Sequence, residues 1–288
     1  MASVGRVIEL WRYPVKSMGG ESLAIGHLGA LGMPGDRGWA LRDEAAGEIR
    51  GAKKMPILMR CRARYDREPV AGEAPPPVTM TLPDGAVLHS AEPDVAGRLS
   101  ALTGRNVSLW PLQPPERREH YRRGLPDHAD METELRDIFG RLPEEPLPDL
   151  STLPPEIFEY TSPLGTYFDA FPLHLLTTAS LCALEAKTPG SRFDVRRFRP
   201  NVLIDSGDGV EGLVEIGWSG KRLRIGAATL SITMPAMRCS MTTHAVAELP
   251  KDTAVLRTIV RDADQNLGVY ATVEHGGAVR VGDSVEVL

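Results

Sequence analysis

The chain has 288 residues, 42% hydrophobic and 25% charged, which is ordinary for a globular protein able to bury a large core. Its net charge of −5 disfavours a dominant nucleic-acid surface but leaves room for a local basic cluster. No apolar stretch approaches the ~18 residues of a membrane helix, and the N-terminus lacks the pattern of a secretory signal. We therefore expect a soluble, cytoplasmic protein with one large or two ordinary domains.

The first ~110 residues have mainly β character. A run rich in β-branched and aromatic residues over 4–15 predicts a strand that stops at Pro14. Alternating segments over 37–52 and 78–90, each around a turn sequence, predict two hairpins. A short helix should follow and end at Gly104.

The segment "DMETELRDIFG" is the best isolated helix prediction. Asp130 is a plausible N-cap and Gly140 a stop signal, while Leu135, Ile138 and Phe139 form an apolar stripe. The next 16 residues, "RLPEEPLPDLSTLPPE", include five prolines and predict an extended connector. The expected organisation is an N-terminal domain over 1–142, a connector over 143–156 and a C-terminal domain over 157–288.

The second half mixes short alternating strands, such as "KRLRIGAATLSIT" and "AVRVGDSVEVL", with a few short helices. Many short strands with few helices predict a β-rich α+β fold with barrel-like units, not a doubly wound parallel sheet. One of these helices contains Cys182 within "ASLCAL", and its apolar surroundings predict that this thiol is in the core.

Several common catalytic motifs are missing or lack their context. "GDGVEG" at 207–212 matches the glycine spacing of a dinucleotide site, but we expect no helix after it, and no acidic residue follows at the required distance. The histidines show no H-x-x-x-H pair, and neither a Walker loop nor a G-x-S-x-G sequence occurs. Three widely spaced cysteines are also too few for an ordinary iron–sulfur cluster.

Cationic and polar residues follow strand ends and glycine-rich turns at several distant places in the chain. An arginine fork binds phosphate through two hydrogen bonds, and an Asn amide can read the edge of a heterocycle. If these segments meet, they form a cationic pocket for an anionic small ligand. The residues in question are Lys16, Ser17, Arg37, Arg199, Asn201 and Arg238.

Cys239 has two readings from the residues alone. An unpaired cysteine is most often a small buried hydrophobe. However, the neighbouring Arg238 can stabilise a thiolate, and a thiolate binds soft transition metals and attacks electrophiles. A Cys–His pair with His244, five residues further on, is a weaker possibility. Cys61 has comparable basic neighbours, so charge alone does not single out Cys239.

Motifs along nearly the whole chain resemble the MOSC (molybdenum cofactor sulfurase C-terminal) proteins that carry an N-terminal MOSC-associated β-barrel. They include "VIELWRYPVKS", "GDRGWAL", "LLTTASL", "RFRPNVLID", "RCSMTTH" and the closing "LGVYATVEHGGAVRVGDSVEVL". Their order and spacing make the resemblance specific. Within the family, the chain is similar to the group of the mitochondrial amidoxime-reducing component and its bacterial relatives.

The resemblance implies a molybdenum–molybdopterin cofactor in a cleft between the two domains. Cys239 would be the protein ligand to molybdenum, Tyr270 an aromatic near the cofactor, and His244 a candidate proton donor. Further positions that match the cofactor-binding residues of the family are Lys16, Ser17, Arg37, Thr178, Ser180, Arg199, Asn201, Arg238 and Ser240.

The implied activity is a two-electron reduction that removes oxygen from N-hydroxylated or N-oxide small molecules. The chain ends at the barrel and has too few cysteines for a ferredoxin domain, so a separate electron-transfer protein is the expected partner. An alternative is a molybdopterin carrier or a sulfur-transfer protein that uses Cys239 without substrate turnover. A third hypothesis is that the protein shares the fold but has lost the cofactor and binds another phosphorylated ligand.

Two departures from the family pattern concern the substrate mouth more than cofactor binding. Relatives often follow the cysteine with Thr-Thr-Val-Asp-Pro, whereas this chain has Ser-Met-Thr-Thr-His-Ala. Met18 stands where some relatives have another cysteine.

Overall fold

A computed structural model of the protein describes residues 2–151 and 153–288. The strands are β1 (Ala2–Arg12), β2 (Glu21–Leu23), β3 (Ile25–Leu28), β4 (Trp39–Asp43), β5 (Glu48–Ile49), β6 (Arg62–Tyr65), β7 (Val78–Thr81), β8 (Val87–His89), β9 (Val107–Pro111), β10 (Leu173–Thr177), β11 (Val202–Asp205), β12 (Arg222–Ile225), β13 (Ala228–Met237), β14 (Asn266–His275), β15 (Gly277–Arg280) and β16 (Ser284–Val287). The α-helices are α1 (Val95–Thr103), α2 (Arg118–Tyr121), α3 (Met131–Phe139), α4 (Glu156–Glu159), α5 (Thr178–Ala186), α6 (Val195–Phe198) and α7 (Thr253–Asp262). Short 3-10 segments occupy Pro56–Arg60, Val214–Trp218 and Ser240–Thr243.

Seven strands form a closed barrel in the order β11-β10-β14-β13-β12-β16-β1, and pairing of β1 with β11 completes the ring. Only the β10–β11 pair is parallel among these neighbours. Closure leaves no free edge inside the ring, so every one of these strands has partners on both sides. The predicted β-rich α+β class is confirmed.

The barrel interior is apolar because alternate side chains of each strand point inward. It includes Val7, Leu10, Leu175, Ile204, Leu230, Val269 and Val285. Complete burial of one such side chain contributes about 1.5–3 kcal/mol, which makes this core the main source of stability in the barrel.

The remaining strands form smaller sheets, β5-β4-β9, β6-β7-β8 and the β15–β3 ribbon. A second core lies where the first two of these meet α1, and it includes Leu41, Leu58, Met80, Leu88 and Leu99. Both predicted hairpins are present here, with β4 and β5 around Gly47 and β7 followed by β8.

The two helix predictions with explicit caps are confirmed. Helix α1 ends at Gly104, whose φ of 68° is left-handed. Helix α3 begins after Asp130, whose carboxylate accepts from the Thr133 amide, and ends at Gly140 with φ 62°.

Two smaller predictions are wrong. Cys182 is exposed on α5, because the buried face of that helix is formed by neighbours such as Ala179 and Leu184. The segment after 207–212 was expected to contain no helix, yet Val214–Trp218 forms a short 3-10 helix.

Among the described residues, no helix is both long and apolar enough to cross a membrane.

The first strand of the chain belongs to the barrel that the C-terminal half builds. In β1, Ala2 pairs with Val287 of β16 and Leu10 pairs with Val202 of β11. Gly5 allows this double pairing, because a Cβ there would lie 2.4 Å from the Asp205 carbonyl oxygen. Without β1, the barrel would have two open edges, at β11 and at β16. The domain limits given above stay predictions.

A fragment of residues 157–288 should therefore fail to unfold cooperatively, because β11 and β16 lose their shared neighbour. Appending residues 2–14 through a short turn after Leu288 should restore a cooperative transition, since Ala2 already pairs with Val287. Thermal unfolding followed by circular dichroism compares the two fragments. Cooperative unfolding of the fragment without β1 would contradict this account of barrel closure.

Candidate functional site

Two cavities adjoin at the end of β13 and beside the middle of β14, with volumes of about 300 and 70 Å³. Six residues line both, so they form a common wall: Asp169, Ala170, Met237, Cys239, Met241 and Tyr270. The larger volume is in the range of sites for small organic ligands. Cys239 is the only residue of the common wall with a thiol, which places a possible metal ligand between the two spaces.

Cys239 lies between the end of β13 and the 3-10 segment Ser240–Thr243. Its carbonyl accepts from the Thr242 amide at 3.2 Å and from the Thr242 hydroxyl at 3.1 Å, which fixes the turn. The thiol is partly exposed. Cys61 is different, because burial raises the pKa of its thiol to about 12 and keeps it protonated.

Four arginines and a single carboxylate, Asp169, line the smaller cavity. Arg37 and Arg199 both lie over the ring of the buried Tyr13, at 5.0 and 4.2 Å from its centroid. Burial, and next the charge of Arg37, lower the pKa of Arg199 to about 10. At neutral pH the guanidinium thus remains charged, and the cavity strongly favours an anion.

Arg238 has an unused donor in this cavity. Its Nη2 donates to the Phe198 carbonyl at 2.9 Å. Its Nε is buried and has no hydrogen-bond partner within residues 2–151 and 153–288. Leaving a buried donor unsatisfied costs about 1–3 kcal/mol, more for a charged group, so an acceptor from a ligand would be favourable here.

The carboxylate of Asp36 connects the segments that carry the arginines. It is fully buried and accepts from the Tyr13 amide at 2.8 Å and from the Asn201 side-chain amide at 3.0 Å. It also forms an ion pair with Arg37. Asn201 accepts in turn from the His174 amide at 3.1 Å, so this residue holds strand ends together as well as lining the cavity.

Three of the predicted site residues have left-handed backbone conformations. They are Ser17 with φ 70°, Arg37 with φ 52° and Arg199 with φ 56°. Such conformations are uncommon outside glycine and carry strain that surrounding contacts must offset. Strain of this kind concentrates at functional sites, and here it points three side chains of the predicted set at the cavities.

Lys16 lies in the larger cavity, where it donates to the Tyr167 carbonyl at 2.7 Å and to Asp169 at 2.8 Å. Burial lowers the pKa of Lys16. Burial alone would raise the pKa of Asp169, but nearby cations, Lys16 first, bring it well below its usual range. Asp169 is therefore a carboxylate at neutral pH, and its contact with Lys16 is an ion pair. Ser17 is beside them and accepts from the Ala52 amide at 2.9 Å.

Tyr270 lines both cavities as part of the common wall. Its ring stacks on Phe171 with centroids 5.2 Å apart. Burial raises the pKa of its hydroxyl to about 12, so the hydroxyl keeps its proton at neutral pH.

Four predicted residues line neither cavity. Ser180 donates to Glu215 at 2.5 Å and Thr178 contacts Asp205 at 3.4 Å, because both lie in the first turn of α5. Ser240 donates to the Ile138 carbonyl at 3.0 Å and so fixes the end of α3. His244 is just beyond the 3-10 segment, and burial lowers the pKa of its ring. The structure gives these four no place on the cavity surfaces.

The two departures from the family pattern have different consequences. Met241, in the altered segment after the cysteine, forms part of the common wall of both cavities. Met18 is fully buried in the second core, so its side chain does not shape the cavities.

Sequence reasoning missed several residues of the site. Asp169 lies in "TYFDAFP", where no periodicity or motif marks it. Asp36 directly precedes the predicted Arg37, and this position next to a cation is the one sequence feature that could have indicated its role. The sequence pattern around Tyr13 predicts only a strand, although its ring supports two of the predicted arginines.

The donor set fits an anionic cofactor with a single thiolate bond to a metal. The unpartnered Arg238 Nε and the arginine-lined cavity suit a phosphate, and Cys239 is adjacent to that cavity. Among the described residues, no three His, Cys, Asp or Glu side chains cluster as a metal site. An organic cofactor that brings its own metal ligands is compatible with this arrangement.

Fold and site together define a strand-rich protein with a closed barrel and a thiol in the wall of an arginine-lined cavity. Residues 165–286 match the family model described as the MOSC domain, and residues 4–108 match the MOSC N-terminal beta barrel domain. The chain belongs to the MOSC family.

Among curated proteins, the chain is 27% identical to human mitochondrial amidoxime reducing component 2, over 99% of this chain and 84% of the relative. It is 26% identical to human mitochondrial amidoxime-reducing component 1, over 100% and 84%. Among solved structures, YuaD of Bacillus subtilis has 13% identity over 98% of this chain and 94% of that chain, with a TM-score of 0.44. YiiM of Geobacillus stearothermophilus has 18% identity over 41% and 54%, with a TM-score of 0.30.

The Lys16–Asp169 pair generates a prediction about pH. The pKa of Asp169 is lower in the folded protein than its ordinary value of 3.8, so its contribution to stability is present above that value and is lost as the pH falls. The difference in unfolding free energy between wild type and Asp169→Asn should therefore shrink from about pH 6 to about pH 2.5.

Urea unfolding at several pH values measures that difference, with Asp208→Asn on an exposed loop as the control. The control should show a small difference at every pH. A difference for Asp169→Asn that is constant or grows with acidity would contradict the ion pair.

Proposed function

We propose that the protein is a molybdenum-cofactor-binding oxidoreductase that reduces N-hydroxylated or N-oxide small molecules. The observation that carries this proposal is the position of Cys239, which lines both the arginine-rich cavity and the larger cavity. The smaller space suits the phosphate of an anionic cofactor, and the larger has room for the edge of its pterin and for a substrate. The relatives that are amidoxime-reducing components support the reaction class.

The residues divide by what their side chains can hold. Arg37, Arg199 and Arg238 bind the cofactor's phosphate, because guanidinium groups form charge-assisted hydrogen bonds with it. Lys16 offers its remaining N–H to the polar edge of the pterin in the larger cavity. Asn201 shapes the smaller cavity, because both N–H groups of its side chain already donate, to Asp36 and to the Trp11 carbonyl.

Cys239 is the protein ligand to molybdenum, since a thiolate is the soft donor that such a metal prefers. When bound, the cofactor supplies the two electrons that remove oxygen from nitrogen.

The reduction also consumes two protons and releases water, and this chain has groups that can carry them. The Tyr270 hydroxyl keeps its proton at neutral pH, so it can donate a hydrogen bond to the substrate's oxygen. Solvent supplies both protons through such groups, and the Lys16 ammonium, held by Asp169, stabilises the charge that develops in the same cavity. Apolar side chains over much of the larger cavity limit water around the reacting bond.

Electrons come from a separate electron-transfer partner in this proposal. The sequence has three cysteines, one fewer than the four thiolates that an ordinary iron–sulfur cluster uses. A cytoplasmic location stays a prediction from the sequence.

Metal analysis tests the role of Cys239. Protein produced in cells with an intact molybdenum-cofactor pathway should contain about one molybdenum per chain, and Cys239→Ala should lose most of it because the thiolate ligand is gone. Cys182→Ser is the matched control, since that thiol is exposed on α5 and should leave the metal content unchanged.

Molybdenum that survives in Cys239→Ala would overturn the ligand assignment. A loaded protein that reduces neither hydroxylamines nor amidoximes would favour a molybdopterin carrier. A persulfide on Cys239, detected by mass spectrometry, would favour sulfur transfer.

A further inference from the structure

The apolar face of α3 lines a cavity instead of a packed core. Leu135, Ile138 and Phe139 form the apolar stripe expected from the sequence, and all three line the larger cavity. Within the described residues, none of them belongs to a hydrophobic core cluster. An amphipathic helix is stabilised mainly by burying its apolar face, so this stripe lacks the partner that its composition calls for.

Other apolar side chains surround the same space from different elements. Leu153, just before α4, and Ile157 and Phe158 of α4 all line this cavity. Phe158 and Met131 are each 59% exposed at its edge. Exposed large apolar side chains around a concave site are typical of a surface that an apolar ligand covers.

The lining of the larger cavity has more cationic than acidic side chains. Five cationic side chains and three carboxylates line it. Each carboxylate already has a cation: Glu48 pairs with Arg50, Glu134 with Lys54, and Asp169 with Lys16. In the part of the chain that the structure describes, Lys53 and Arg123 form no ion pair.

The two remaining cations are positioned beside the apolar walls. The Lys53 ammonium lies 5.9 Å from the centroid of the Phe139 ring. Arg123 donates through Nη2 to the backbone carbonyls of Ile157 at 2.8 Å and Tyr160 at 3.2 Å, so its guanidinium is fixed next to α4. The Nη1 group of this guanidinium remains available for a charge-assisted hydrogen bond to a carboxylate.

We propose that the larger cavity selects N-oxygenated substrates whose apolar body, an aromatic ring or alkyl chain, carries an acidic group. The stripe of α3 and the side chains of α4 contact the body, and Lys53 and Arg123 bind the acid. That the substrate carries an N–O group rests on the proposed function. That the cavity binds an apolar body and an acid does not.

The test compares two ligands that differ only in the acid, benzamidoxime and 4-carboxybenzamidoxime. Calorimetric titration of the molybdenum-loaded protein without an electron donor measures binding without turnover. Wild type should bind the carboxylate more tightly. Lys53→Met and Arg123→Met should each weaken binding of the carboxylate by about tenfold, because each removes a charge-assisted interaction, and weaken the neutral ligand far less.

Two further variants complete the design. Lys53→Arg keeps the charge and should retain the preference for the carboxylate. Lys221→Met removes an exposed lysine that lines neither cavity and should leave both affinities unchanged. Molybdenum content is measured for every variant, because Lys53 also acts on the charges of Lys16 and Asp169.

Equal weakening of both ligands, or tighter binding of the neutral ligand by wild type, would overturn the inference. Loss of molybdenum in Lys53→Met or Arg123→Met would also overturn it, since these cations would then hold the cofactor. If the loaded protein shows the expected binding but reduces neither ligand when given electrons, the cavity inference stands and the proposed function fails.

Discussion

The buried carboxylate of Asp36 holds together the parts of the chain on which the site depends. It binds the Tyr13 amide, the Asn201 side chain and the Arg37 guanidinium, which come from three distant segments. A buried charge is tolerated only when it is paired and hydrogen-bonded, and Asp36 meets both conditions. Through it, Arg37 and Arg199 are held on the ring of Tyr13 despite their mutual repulsion.

The barrel supplies the second constraint, because closure by β1 fixes where the chain leaves the barrel. Lys16 and Ser17 follow β1 within a few residues, and Cys239 follows β13 in the same way. Strand ends of a closed barrel are rigid positions, and loops that leave them can carry strained residues such as Ser17. The same architecture thus sets a thiol, a lysine and a group of arginines around two adjoining spaces.

Much of this could be predicted from local sequence signals. The caps of α3, the two hairpins and the alternating strands depend on neighbouring residues, and these predictions are confirmed. The convergence of Lys16, Arg37, Arg199 and Arg238 with Cys239 could be anticipated from the family resemblance.

Other features depend on contacts between distant segments, and no local pattern reports them. Asp169 acquires its role only when Lys16 comes from the other half of the chain. Cys182 has apolar neighbours in sequence, yet it faces outward because the other faces of α5 carry the packing. The stripe of α3 had the right residues for a core, but they face a cavity.

In the proposed site, the arginines and Cys239 together bind one anionic, metal-bearing cofactor. Diffraction from crystals of the molybdenum-loaded protein, with data at the molybdenum absorption edge, tests this arrangement most directly. We expect an anomalous peak within bonding distance of Cys239 Sγ and density for a phosphate against Arg37, Arg199 and Arg238. A molybdenum peak away from Cys239, or a phosphate bound elsewhere, would contradict this arrangement.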